Sequence, residues 1–144
     1  VNPDGRGRIH VAGHPAMCLG VPTGFVKDGQ KLHSIGCQEK GIFSLQAKRY
    51  TSRIRWAKNA ELCMDTEGNF NSAKLHLWDC KARLIPEDNM KFILPPDGGA
   101  GPITWAMDPT LCLDAPQGRV LQLWKCKLAP LRNKQWLVPS TGGM

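Results

Sequence analysis

The sequence predicts an all-β fold in which three internal repeats close into one threefold barrel. One segment occurs three times, each time as two aligned halves. The copies are Ile9–Gly20 with Lys31–Cys37, Ile54–Asp65 with Lys74–Cys80, and Ile103–Asp114 with Val120–Cys126. A period of about 45 to 50 residues is typical of proteins built from repeats. In addition, 11 prolines and 15 glycines divide the chain into short segments, which favours strands over helices.

The repeats are expected to share a single core. We place them at about residues 7–50, 51–100 and 101–144, within one domain that spans residues 1–144. One unit of a few short strands cannot bury its own apolar face, so the three units must pack around a common centre. Closure into a barrel, with hairpins at one end, also removes unpaired strand edges. The aromatic residues near the ends of the repeats are predicted to lie in this core: Phe43, Phe92 and Trp136.

Each repeat contains two cysteines, one after its first strand and one after its third. Six cysteines can pair in 15 ways, but this arrangement predicts one disulfide within each repeat. The expected pairs are Cys18–Cys37, Cys63–Cys80 and Cys112–Cys126. Reduced thiols or a metal site are the alternative, which the lack of a Cys-x-x-Cys pair and the scattered histidines disfavour. Disulfides indicate an oxidising compartment and hence a secreted protein.

The repeated unit carries a family resemblance. Its pattern of Cys-Leu-Asp, then Leu-Gln-Leu-Trp-x-Cys, then Asn-x-x-Trp resembles the repeat of the ricin-type lectins, the carbohydrate-binding β-trefoils. The resemblance covers nearly the whole chain and implies a β-trefoil with up to one sugar pocket per repeat. In that family an Asp after the first Cys accepts hydrogen bonds from sugar hydroxyls. An aromatic side chain two residues before the second Cys stacks on the sugar ring.

Two of the three repeats keep the family's site residues. The third repeat supplies Asp114, Gln122, Trp124 and Asn133, and the second supplies Asp65, His76, Trp78 and Asn89. The first repeat has Gly20, His33, Ile35 and Lys40 at these positions, so the resemblance implies no sugar site there. The family's Gln-x-Trp signature is also incomplete, because its Gln position holds Gly41, Met90 and Lys134. We expect two sites for terminal sugars, with galactose or N-acetylgalactosamine as the default ligand.

The chemistry of these residues favours a sugar site independently of the family. A pyranose has a polar rim and an apolar C–H face, so its site needs a flat aromatic ring and a fixed acceptor for hydroxyls. Asp114 and Trp124 could instead be a turn cap and an ordinary barrel residue. The first repeat, however, lacks the Asp and the Trp together, and a structural role does not predict that joint loss. We expect both side chains to point outward.

The sequence contains no recognisable catalytic constellation. It has no Gly-x-Ser-x-Gly motif, no metal-ligand spacing and no Gly-rich phosphate loop leading into a helix. His33 and His76 occupy the repeat position of Gln122, which indicates a shared polar position rather than metal ligation. We therefore expect a non-enzyme without a cofactor or a metal. No membrane span is expected either, because no apolar run approaches about 18 residues.

The net charge of +7 suggests a second hypothesis. The excess of Lys and Arg lies in residues 1–50 and 101–144, and it could favour acidic partners such as sulfated glycans, nucleic acid or anionic membranes. The basic residues are spread singly along the sequence, however, so we expect glycans of glycoproteins or glycolipids as partners and no nucleic acid. A trefoil protease inhibitor that acts through an exposed loop is a third hypothesis. A homodimer or a partner chain is compatible with the sequence.

Overall fold

The structure, a computed structural model, describes residues 6–22, 26–37, 41–45, 51–81, 90–95, 100–116 and 120–139. These residues form short strands and one helical turn. The elements are β1 (Arg6–Arg8), β2 (His10–Val11), β3 (His14–Gly20), β4 (His33–Gly36), β5 (Ile42–Leu45), β6 (Thr51–Trp56), β7 (Asn59–Thr66), β8 (Leu75–Asp79), β9 (Lys91–Ile93), β10 (Thr104–Trp105), β11 (Asp108–Asp114), β12 (Gln122–Lys125), α1 (Leu131–Lys134) and β13 (Trp136–Leu137). No helix in the described ranges has the length and apolarity that crossing a membrane requires.

The strands pair into two sheets that share one interior. The larger sheet has the order β1-β5-β6-β9-β10-β11-β12, with β7 on β6 and β8 beyond it, and the smaller has the order β13-β2-β3-β4. A main-chain bridge between Gly101 and Trp136 joins β13 to the segment before β10. Three hairpins, β3–β4, β7–β8 and β11–β12, occupy equivalent positions. Each follows a strand whose register shifts at the same point of the repeat.

Three buried leucines at equivalent positions close the threefold arrangement. The backbone N–H of Leu32 donates to the carbonyl of Leu75 at 3.0 Å, Leu75 donates to Leu121 at 3.0 Å, and Leu121 donates back to Leu32 at 2.8 Å. All three side chains are fully buried. Because each repeat gives one donor and accepts one, none of the three can leave the ring without breaking two hydrogen bonds. The ring confirms the threefold closure that the repeats predict.

Alternation along the barrel strands builds the core. In β6 the side chains of Ser52, Ile54 and Trp56 are buried, and those between them face outward, as the period of two along a strand requires. The predicted core aromatics Phe43, Phe92 and Trp136 are each 0% exposed. Full burial of such a side chain contributes about 1.5 to 3 kcal/mol, so the shared core stabilises all three repeats together.

The polar tip of Trp136 is satisfied inside the core. Its indole Nε1 donates to the backbone carbonyl of Leu113 at 3.1 Å. A buried indole N–H without an acceptor would cost free energy, so this bond makes Trp compatible with a position that holds Phe in the other two repeats. It also joins β13 to the strand that carries Asp114.

Each repeat contains one disulfide, between the two cysteines that the repeat pairs. The Cα–Cα distances are 5.0 Å for Cys18–Cys37, 5.3 Å for Cys63–Cys80 and 5.0 Å for Cys112–Cys126, within the usual range. The bridged residues lie 19, 17 and 14 positions apart. Closing loops of this size stabilises a fold by about 3 kcal/mol each in the chain-entropy model.

Candidate functional site

The three hairpins place the candidate site residues directly opposite one another. The opposed pairs are Asp114 with Gln122 and Cys112 with Trp124, Asp65 with His76 and Cys63 with Trp78, and Gly20 with His33 and Cys18 with Ile35. Opposed residues of antiparallel strands project from the same face. In the second and third hairpins the Asp, its partner and the Trp therefore share one face, and the apolar residues between them face the barrel core.

In the third repeat a chain of hydrogen bonds holds the carboxylate. Gln122 Nε2 donates to Asp114 Oδ2 at 2.9 Å, and Lys74 Nζ, from the second repeat, donates to Gln122 Oε1 at 2.9 Å. The Oδ1 atom of Asp114 is buried and has no hydrogen-bond partner of good geometry. Trp124 is half-buried on the same face. The arrangement fixes one oxygen of the carboxylate and leaves an acceptor on the other.

Burial dominates the electrostatics of this carboxylate. Desolvation raises the pKa of Asp114, and hydrogen bonding to Gln122, a weaker interaction with Asn133 and the charge of Lys74 each offset part of the rise. Asn133 lies in α1, the helical turn that follows Pro130. Its backbone carbonyl accepts a hydrogen bond of 2.9 Å from Ala115, the residue after the aspartate. The structure thus brings Asn133 to Asp114, as the resemblance implies.

The second repeat holds its carboxylate with an imidazole. Asp65 is 0% exposed, and its Oδ2 lies 2.7 Å from His76 Nε2. The other ring nitrogen of His76 lies 3.6 Å from a carboxylate oxygen of Glu67, which forms an ion pair with Lys31 of the first repeat. The His76 ring also stacks on Trp78, with 5.0 Å between centroids and 16° between planes. Asn89, the fourth predicted residue of this site, lies outside the described residues.

In the first repeat the Ile35 side chain would have to move to admit an equivalent carboxylate. A Cβ atom added to Gly20 would lie 2.6 Å from Ile35 Cδ1, closer than two carbons can approach. The Ile35 side chain thus fills the volume that Asp and Trp share in the other hairpins. Burial lowers the pKa of His33, which occupies the Gln122 position. Lys40 lies outside the described residues.

The site aspartates face away from the barrel core but are not exposed to solvent. Asp114 and Asp65 lie on the face opposite the core residues of their strands, yet they are only 3% and 0% exposed. The side chains of the facing strand and of the preceding repeat cover them.

Sequence reasoning missed the contribution of neighbouring repeats to each site. Besides Lys74 and Lys31, two loop residues from neighbouring repeats hold the strand end next to a site tryptophan. Asp28 Oδ1 accepts from the backbone N–H of Asp79 at 2.7 Å, and Asn71 Oδ1 accepts from that of Lys125 at 2.7 Å. Asp28 and Asn71 both stand three residues before the aligned lysines of their own repeats. This shared spacing was the one available signal.

One histidine lies beside a disulfide in the first repeat. His10 Nδ1 is 2.8 Å from the carbonyl of Pro15 and 3.4 Å from both sulfurs of Cys18–Cys37. The three residues form a group compact enough to hold a metal ion. However, metal ligation by cysteine requires thiolates, and both sulfurs are bonded to each other. The disulfide form therefore offers only the imidazole as a ligand.

Neither the protein-family models nor the curated sequences compared with this chain match it. Several solved structures, in contrast, match its fold. A designed threefold-symmetric protein, ThreeFoil, superimposes with a TM-score of 0.76 at 14% identity, over 94% of this chain and 99% of that one. An earthworm R-type lectin C-half, solved with GalNAc, gives 0.69 at 13% identity over 94% and 98%. The fold is a β-trefoil.

An agglutinin extends the comparison. The agglutinin of Abrus precatorius superimposes on this β-trefoil with a TM-score of 0.71 at 17% identity, over 95% of this chain and 48% of that one. At these low sequence identities, the superpositions establish only that the fold is shared. The site residues of this β-trefoil must therefore be judged on their own geometry.

Proposed function

We propose that this β-trefoil is a secreted, non-catalytic lectin whose single domain binds terminal sugars of glycans. The third repeat would supply Asp114, Gln122, Trp124 and Asn133, and the second Asp65, His76, Trp78 and Asn89. The observation that carries the proposal is the carboxylate of Asp114, which is buried beside a half-exposed tryptophan and keeps one oxygen without a hydrogen-bond partner of good geometry. Buried acceptors are nearly always satisfied. A ligand hydroxyl would satisfy this one.

The chemistry of a sugar suits this arrangement. One hydroxyl would donate to Asp114 Oδ1, while Trp124 would cover the apolar face of the ring and Asn133 would add an amide donor. Gln122 would not need to touch the sugar, because it already holds Asp114 Oδ2. A shallow site of this kind binds a monosaccharide at about the millimolar level, or about 4 kcal/mol.

The choice of sugar rests on weaker support. One solved earthworm lectin of this fold was determined with GalNAc, and a mutant of an earthworm lectin domain was determined with 6'-sialyllactose. We take galactose or N-acetylgalactosamine as the first ligands to test. Secretion is supported by the three disulfides, which persist in oxidising compartments.

A glycan array at low and high salt, followed by calorimetry with the best monosaccharide, tests the proposal. Recognition through stacking and hydrogen bonds should change little with ionic strength, and the stoichiometry should be two sugars per chain. A value of one would assign binding to the third repeat if Asp114→Asn removes it. Three sugars per chain would contradict the absence of a site in the first repeat, and no binding to any neutral glycan would refute the lectin function.

A further inference from the structure

The barrel carries a second feature that the sugar sites do not use. Strands β1, β5, β6 and β9 are neighbours in the larger sheet, and none of the four contains an Asp or a Glu. Their outward positions hold five cations, which we call the basic face. Its cations are Arg6, Arg8, Arg53, Arg55 and Lys91.

Strand pairing assembles this face from residues that are far apart in the sequence. Arg6 lies opposite Ser44, and Ser44 lies opposite Arg55, so these three form one row across β1, β5 and β6. Arg53 lies directly opposite Lys91 across β6 and β9. With strands about 4.8 Å apart, the four strands span roughly 14 Å. The expectation that the basic residues are spread singly therefore holds for the chain but not for the surface.

Two arginines of this face are oriented by hydrogen bonds to the main chain. Arg55 is held in place, because its guanidinium donates to the carbonyl of Ala60 at 2.9 Å. Arg6 is oriented in the same way, by a hydrogen bond of 3.3 Å from its guanidinium to the carbonyl of Ala57, so the face presents positive charge at fixed positions.

We propose that the basic face binds a linear sulfated polysaccharide. Arginine presents a planar fork of donors that matches the oxygens of a sulfate group, and a run of sulfate esters can follow the row of cations across the four strands. The other outward residues of the face are aliphatic or hydroxylated: Ile42, Ser44, Thr51 and Ile93. They offer no aromatic ring on which unpaired bases could stack, which disfavours single-stranded nucleic acid. The proposed extracellular location also favours a glycan.

Binding of a heparin-derived hexasaccharide, measured from 50 to 200 mM salt, tests this inference. Each ionic contact contributes about 0.7 to 0.9 to the slope of log affinity against log salt concentration for nucleic acids. If four of the cations bind, the fourfold rise in salt should weaken binding by roughly 50- to 150-fold. The same hexasaccharide without its sulfates should not bind. Equal binding of the desulfated chain would overturn the proposal.

Two double variants that remove the same charge distinguish binding by the basic face from binding by the overall net charge. Arg6 and Lys91 are exposed, so Arg6→Gln with Lys91→Gln should fold normally and weaken hexasaccharide binding about 15- to 30-fold at 150 mM salt. The control, Lys27→Gln with Lys127→Gln, removes the same charge from exposed positions off the face. It should change affinity by less than about twofold. Equal losses in both double variants would show that net charge alone binds, and would overturn the proposal.

Two further measurements complete the test. A DNA duplex or a phosphatidylserine vesicle that binds more tightly than the hexasaccharide, and depends on Arg6 and Lys91, would replace the sulfated glycan by a phosphate partner. Calorimetry of neutral sugar with the face variant should match the unchanged protein. Because the face and the sugar sites use different residues, loss of either kind of binding leaves the other measurable.

Discussion

The second and third repeats hold the same buried carboxylate in two different ways. In the third, the Gln122 amide donates to Asp114 at 2.9 Å, and no aromatic pair involving Trp124 occurs among the described residues. In the second, the His76 imidazole takes the amide's place, 2.7 Å from its aspartate, and lies flat against Trp78. One face of that tryptophan is therefore already covered by a ring.

The difference shows what the repeat determines and what single positions determine. The hairpin register places a carboxylate, a polar partner and a tryptophan on one face in both repeats, with the same backbone support. The identity of the partner then decides whether both faces of the tryptophan remain available. We expect the third site to bind a sugar more tightly than the second for this reason.

The largest expected effect tests the support that the two sites share. Trp136→Ala removes a fully buried side chain and its hydrogen bond to Leu113, and should lower the free energy of unfolding by about 3 to 5 kcal/mol. Denaturant unfolding with the disulfides intact measures this loss. Trp124→Ala is the matched control, which should stay close to normal stability and lose the third site. If Trp136→Ala keeps its stability and loses sugar binding instead, core and site have been interchanged.

Asp114→Asn tests whether the charge of the third carboxylate binds the ligand. The variant keeps the shape and an acceptor for Gln122, but it removes a charge-assisted hydrogen bond worth about 1.5 to 3 kcal/mol. Monosaccharide binding at a millimolar site should become undetectable, and the calorimetric stoichiometry should fall from two to one. Stability at neutral pH should not fall, because burial already disfavours the ionised form. Unchanged binding would exclude Asp114 from the site.

The repeats, the disulfides and the core aromatics could be predicted because each depends on spacing within one repeat. Asp114, Gln122 and Trp124 were found for the same reason, since one hairpin holds all three. Lys74 was not, because it reaches Gln122 across 48 residues and from another repeat. The burial of the aspartates could not be predicted either. It depends on how the repeats cover one another around the axis.

The His76 position tests the comparison from the second repeat. His76→Ala would leave a buried oxygen of Asp65 without its partner, at a cost of about 1 to 3 kcal/mol. His76→Gln should cost less, since an amide can donate to Asp65 as Gln122 donates to Asp114. It should also uncover Trp78 and strengthen sugar binding at the second site. Calorimetry of the double variant with Asp114→Asn, which lacks the third site, measures this binding alone. Weaker binding in His76→Gln would mean that the imidazole itself contacts the sugar.

The smallest expected effect concerns the acid limb of third-site binding, which is the pH range over which sugar binding is lost as the solution is acidified. Because burial raises the pKa of Asp114, the carboxylate should be protonated, and sugar binding lost, at a higher pH than for an ordinary aspartate. The free energy of unfolding, in contrast, should rise as the pH falls through the same interval. The folded chain takes up this proton before the unfolded chain does, so the cost of burying the charge disappears as pH falls. The stability difference between the Asp114→Asn variant and the unchanged protein should narrow over that interval.

Lys74→Met then sharpens the assignment. Its positive charge lowers the pKa of Asp114, so its removal should move the acid limb of third-site binding to higher pH, with a small loss of affinity at neutral pH. Lys31→Met is the control, because Lys31 occupies the same repeat position but pairs with Glu67 beside the second site. It should leave the third-site limb in place. Equal shifts in the two variants would show that overall charge, rather than the contact through Gln122, sets the acid response.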